Sequence, residues 1–183
     1  MNKEGIIDIS TAEARSINYG RLAQAFVYPE EGQESLISKV DYTEAFDPAA
    51  SPVACSIREY TYNQDIHATS LNEELLRFYQ YFGLGRAPEA LMPDHISVEL
   101  EFMQFLNQLQ AEAEKRDEDL TPLKKAQRDF LERHLQILVR GAQSAFRTNI
   151  QACKALIDMA EEIVAGDLER LKEEVGLARH SAA

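Results

Sequence analysis

The 183-residue chain is long enough for one substantial core and short for two ordinary domains, so a single domain over residues 1–183 is expected. Its 31 acidic against 19 basic residues give a net charge of −12, which argues against nucleic-acid backbone or anionic membrane as a partner and suits a cationic ligand. Cys55 and Cys153 lack metal-ligand spacing and argue against a disulfide framework, while the absence of an apolar signal region or a run of ~20 apolar residues predicts a cytoplasmic protein.

Ser10 to Tyr28 reads as the first helix, with Ser10 and Glu13 at capping-box spacing, a buried face of Ile17, Tyr19, Leu22 and Phe26, and Pro29 as its stop. Gln33 to Phe46 reads as a second helix with Leu36, Ile37 and Val40 pointing inward, and residues 47–52, DPAASP, as a loop. Residues 54–69 commit to no period and form an irregular connector. Ser70 and Glu73 repeat the capping-box spacing ahead of a helix carrying Leu71, Leu75, Phe78, Tyr79 and Phe82, which Gly83 terminates. Residues 83–93, GLGRAPEALMP, hold two glycines and two prolines and read as a hinge-like loop or one wall of a binding site, with a plain connection between helices as the alternative.

Pro93 and Asp94 mark the start of a central helix, Asp94 being placed to cap it. Ile96, Val98, Leu100, Phe102, Met103, Phe105, Leu106 and Leu109 cover more of its circumference than the stripe of a surface helix. His95 and Glu99 share a face, whereas Glu99 and Glu101 diverge by about 200°. Residues 110–121 form a charged helix end and loop. Thr121 as N-cap and Pro122 at the first helical position restart a helix carrying Phe130, Leu131, Leu135, Leu138, Val139 and Ala142. A last helix, Phe146 to Val175, presents Ile150, Cys153, Ile157, Ala160, Val164, Leu168, Leu171 and Val175, with Gly166 a point of kinking or division and a frayed tail from Gly176. No strand-like alternation occurs, so the expected fold is an all-α bundle of about six or seven helices.

The chain lacks a P-loop, a GxGxxG after a strand, a GxSxG elbow and a CxxC pair, and is poorly equipped as an enzyme. His95 and Glu99 could ligate a metal from one helix face, which keeps a metal-dependent hydrolase as a third reading, but a bundle metal site needs further ligands that the sequence does not supply. On residue physics alone, Asp94 as a cap and Glu99 and Glu101 in salt bridges outweigh a functional role.

Tyr79, Phe82-Gly83-Leu84, Pro93-Asp94-His95-Ile96 and Glu99-Leu100-Glu101-Phe102-Met103 together resemble the signature of the TorD/DmsD/NarJ superfamily of redox-enzyme maturation chaperones. The early helix ending at Phe26 and Pro29 and the late run AQRDFLERHL (126–135) extend the likeness over most of the chain. The late run is similar to the branch serving type II DMSO-reductase-family enzymes such as dimethyl sulfide and ethylbenzene dehydrogenases and selenate and chlorate reductases, although the tryptophan usual after it is missing here. The resemblance implies a TorD-like helical bundle without catalytic activity. It implies a chaperone that binds the twin-arginine leader and the cofactor-free catalytic subunit of a molybdoenzyme, assists molybdenum-cofactor insertion and delays export. The implied leader groove comprises Asp94, His95 and Glu99 with Tyr79, Phe82, Leu84, Leu91, Met92 and Pro93. No resident cofactor or metal is implied; transient contact with molybdopterin or a nucleotide, and a monomer or a dimer, stay open. The runner-up is an all-α scaffold or regulator that binds a partner helix.

Overall fold

The apolar run after Pro93 does form a helix, buried over most of its circumference. The computed structural model describes residues 8–30 and 35–181, with side chains up to residue 176. Among these residues the elements are α1 (Ala12–Ala25), α2 (Lys39–Phe46), a 3-10 turn (Glu59–Thr61), α3 (Ala68–Tyr81), α4 (Ile96–Lys115), α5 (Thr121–Phe130), a π turn (Leu131–Leu135), α6 (Gln136–Ala145) and α7 (Gln151–Ser181). No strand accompanies them, only one isolated antiparallel bridge between Arg58 and His95, and the all-α class is as expected.

Ile96, Leu100, Phe102, Met103 and Leu106 bury α4 in a shared core, with Val98, Phe105 and Leu109 packed at its margin. α1 lies along α4 so closely that a Cβ at Gly20 would stand 2.6 Å from the Gln104 side chain. α5, the π turn and α6 follow one another without a break and pack against both α4 and α7. Phe130 joins three elements: its ring lies 4.7 Å from Phe102 on α4, and 5.4 Å and 6.3 Å from Phe78 and Tyr79 on α3. Each such pair contributes ~0.5–1.5 kcal/mol beyond the area it buries.

A second tie is polar. Arg15 of α1 donates to Asn107 Oδ1 of α4 at 2.8 Å and lies 3.6 Å from Asp167 of α7, which also accepts from the Tyr19 hydroxyl (2.9 Å) and from Arg170 (2.6 and 3.0 Å). Asp167 is fully buried but meets several donors, the condition under which an interior charge is tolerated.

Several local expectations need correction. The α1 cap is Thr11, whose hydroxyl accepts from the Ala14 amide at 3.1 Å, because Ser10 is held by the Asp8 carboxylate instead. α2 starts at Lys39 behind Ser38 as N-cap, which leaves Leu36 before the helix; the expected start at Gln33 lies outside the described residues. Ile17, Leu36 and Val40 are exposed (54, 84 and 73 %), since the inward faces are fixed by Tyr19 and Tyr42, each two residues and about 200° away from Ile17 and Val40. α3 begins two residues before Ser70, behind His67 and with no side-chain cap. The charged stretch 110–121 is helical as far as Lys115, so its loop is only residues 116–120, and Asp119 rather than Thr121 supplies the side chain that meets the restarting helix's first amide (2.9 Å). α7 begins at Gln151, because Phe146 is extended; Gly166 does not divide it, and the helix continues to Ser181 where fraying was expected.

Gly141 marks a close approach as well: a Cβ there would fall 2.2 Å from the Tyr62 ring. Glycine to alanine inside a helix ordinarily stabilises by ~1 kcal/mol, whereas here overpacking reverses the sign. Gly141→Ala is therefore expected to lose about 1–3 kcal/mol in urea denaturation, and a gain in stability would contradict this packing.

Candidate functional site

Gly83, at φ +77°, lets the chain leave α3 in a Schellman turn: the Gly83 amide donates to Gln80 O (2.9 Å) and the Leu84 amide to Tyr79 O (3.0 Å). Leu84 is thereby folded back beside Tyr79. Residues 84–93 then form a wall, closed on itself by Arg86, whose guanidinium donates to the carbonyl of Ala90 at 2.9 Å. The wall's far end is pinned where the buried Tyr79 hydroxyl donates to Pro93 O at 2.9 Å. Between this wall and the α3 and α4 surfaces runs a groove of about 830 Å³. Leu76, Tyr79, Leu84, Leu91, Pro93, Val98, Phe102 and Phe105 give it an apolar lining, with Gln80, Arg86, Glu89 and Glu101 as its polar side chains.

Of the residues expected to form one groove, Tyr79, Leu84, Leu91 and Pro93 line it. Phe82 packs on Phe102 and Tyr81 just outside, and Met92 is partly exposed near Arg86. Asp94, His95 and Glu99 do not line it.

Asp94 is fully buried and does not cap α4. Its Oδ1 receives Arg58 Nε at 2.7 Å and Nη2 at 2.5 Å, and its Oδ2 the Tyr60 amide at 3.3 Å. The cap is His95, whose Nδ1 accepts from the Ser97 amide at 3.2 Å. Burial, with Arg58 nearby, pushes the His95 pKa down to about 4, so the ring is neutral at physiological pH and free to accept this bond. Backbone bonds from Glu59 N to Asp94 O (2.9 Å) and from Ile96 N to Ile57 O (3.0 Å) complete the bridge.

Behind that bridge lies an acidic cluster. Glu59 is fully buried; its carboxylate receives Asn63 Nδ2 at 2.7 Å and lies 3.1 and 3.2 Å from Nδ1 of the buried His134. The π turn, by widening the helix for one turn, presents His134 there, with its ring edge-on to Phe78 at 5.5 Å. His134 Nε2 lies 3.3 Å from Glu74 Oε1 but off the line of a hydrogen bond. Glu99 comes in from α4 beside Glu59. Burial first, and then the neighbouring Glu59 charge, raise its pKa well above the ordinary carboxyl range. No donor of the described residues reaches either Glu99 oxygen, and burial beside the Glu59 charge favours the neutral carboxyl over the carboxylate.

His95 Nδ1, one half of the metal-ligand pair considered as a third reading, is committed to a backbone amide. Among the described residues no group of three or more His, Cys, Asp or Glu side chains is placed to hold a metal ion. Glu59 and His134 were not among the expected site residues: Glu59 lies in the connector that commits to no period, and His134, though on the face of Phe130, Leu131 and Leu138, gives no sign in the sequence of its partner. The available signal was Glu99, an acid inside an apolar helix face, which demanded a partner.

A protein-family model described as the nitrate reductase delta subunit matches residues 13–137. The chain is 33 % identical over 143 residues to the selenate reductase assembly chaperone of Thauera selenatis, covering 69 % of this chain and 74 % of that one. It is 36 % identical over 134 residues to the perchlorate reductase assembly chaperone of Dechloromonas aromatica strain RCB, covering 71 and 59 %. It is 32 % identical over 145 residues to the chlorate reductase assembly chaperone of Ideonella dechloratans, covering 69 and 74 %. The groove, the bridge and the acidic cluster all lie within the matched residues.

Two outcomes follow from this geometry. Asp94→Asn, which would be nearly neutral if Asp94 were only a cap, is expected to cost about 2 kcal/mol of folding free energy, because it removes the Arg58 pair. Glu99 has a folded pKa above its unfolded one, so its stabilising contribution is complete below the ordinary value of 4.5 and is lost as pH rises through the raised folded value. Urea denaturation across that window should show wild-type stability falling with pH and the fall reduced in Glu99→Gln, which cannot ionise.

Proposed function

Since the chain belongs to the nitrate reductase delta subunit family, in the branch of the selenate, perchlorate and chlorate reductase assembly chaperones, we propose that it is a maturation chaperone for a molybdenum oxidoreductase and acts by binding rather than by catalysis. In this reading the groove between α3, residues 83–93 and α4 takes the twin-arginine leader of the catalytic subunit. The cofactor-free subunit is held until the molybdenum cofactor has been inserted, and export is delayed until then. The chaperone has no resident cofactor or metal of its own and works in the cytoplasm, before the client is exported.

The observation that carries the reading is the groove itself. Its apolar lining, formed by two fixed helices and a wall anchored at Gly83 and Pro93, fits the apolar stretch of a leader, and its acids fit the leader's cationic end. Among the described residues no helix is long and apolar enough to cross a membrane.

The test is capture of a catalytic subunit from this enzyme class, with and without its leader, by the full chain and by Leu91→Asp, a change at a half-exposed wall position. Capture should require the leader, fall sharply in Leu91→Asp at unchanged melting temperature, and weaken with salt without vanishing, since screening over ~8 Å affects only the charged contacts. Leader-independent capture that ignores Leu91→Asp would favour instead a scaffold that recognises a helix elsewhere on its client.

A further inference from the structure

Of the acids near the groove, Glu99 is buried beside Glu59 and does not line it, while Asp94 is partnered by Arg58 and Glu59 by Asn63 and His134. Glu101 has no such partner. It projects from α4 about 200° away from Glu99, into the groove beside Val98, Phe102 and Phe105. Partial burial raises its carboxyl pKa, and neither a cation nor a hydrogen-bond donor among the described residues offsets that effect. Arg86 lines the same groove but is turned back onto the carbonyl of Ala90. Glu89, on the wall, adds a second acid to the lining.

We propose that Glu101 is the residue that receives a guanidinium group of the segment bound in this groove. The assignment rests on reading the groove as the leader site, and it moves the charge recognition away from Asp94, His95 and Glu99. Glu101 is exposed at the edge of the apolar lining with no cation of its own, and an incoming guanidinium can meet it with charge-assisted hydrogen bonds. The flanking rings of Phe102, Phe105 and Tyr79 suit the planar guanidinium better than a strongly hydrated ammonium.

The experiment titrates the full chain and its Glu101→Gln variant with two synthetic peptides. One carries an adjacent pair of arginines followed by an apolar stretch, and the other has glutamines in place of the arginines. Glu101→Gln sits at the surface of α4, and circular dichroism with a melting curve checks that it folds. The variant is expected to bind the arginine peptide about tenfold more weakly than wild type, and the glutamine peptide with the same affinity as wild type. An equal effect of the variant on both peptides, including no effect, overturns the role of Glu101 and leaves the groove reading in place. If wild type binds neither peptide, both the groove reading and this inference are overturned.

Discussion

A carboxylate wholly removed from water must be met by donors, and Glu59 is the one whose needs bring separate parts of this chain together. Asn63 meets it from the connector and His134 from the π turn, while Glu99 of α4 is buried beside it. An isolated buried charge would cost several kcal/mol, so these elements cannot drift apart without exposing that cost. The π turn is explained by the same requirement: a regular helix from α5 to α6 would rotate His134 relative to Phe130 and Leu131, both of which are already committed to the core.

The groove depends on this arrangement at one remove. Glu59 fixes the connector; the connector presents Arg58 and the Tyr60 amide to Asp94; and Asp94 follows Pro93, whose carbonyl holds the Tyr79 hydroxyl. One end of the wall is thus tied to the interior acids and the other to the Schellman turn at Gly83. The residues between, among them Leu91 and Met92, remain partly exposed. Rigid ends with an open middle are what a surface needs if it is to accept an apolar segment without losing much order of its own on binding.

The bundle was legible in the sequence because apolar periodicity reports burial directly. Phe130, Leu131, Leu135, Leu138, Val139 and Ala142 are all in the core, as are Leu71, Leu75 and, on α7, Cys153, Ile157, Ala160, Val164, Leu168 and Leu171. Gly83 as a helix stop was legible too, since a positive φ leaves few alternatives. Caps were less so: Ser10 and Ser70 both had capping spacing, but Ser10 had Asp8 nearby as a competing partner and α3 began earlier than Ser70. The exposed Leu36 and Val40 show that hydrophobicity in a short helix does not say which side faces inward when an aromatic residue such as Tyr42 can take that side instead. The pairing of Glu59, Glu99 and His134 lay beyond any local pattern, because their partners are brought together only by the tertiary fold.

The position of Asp94 changes how a defect there would be interpreted. Its side chain faces Arg58 and the connector rather than the groove, yet the peptide it shares with Pro93 forms the groove's anchored edge. Loss of the Asp94 charge would free Arg58 and loosen that edge, altering the shape of the groove without removing any group that lines it. Weakened binding in such a protein would therefore be a change in shape, felt by polar and apolar ligands alike. A change in Glu101 acts instead on charge within an unchanged groove, and discriminates between ligands with and without a cation. The two acids lie on the same stretch of sequence, seven residues apart, but one holds the site and the other faces what enters it.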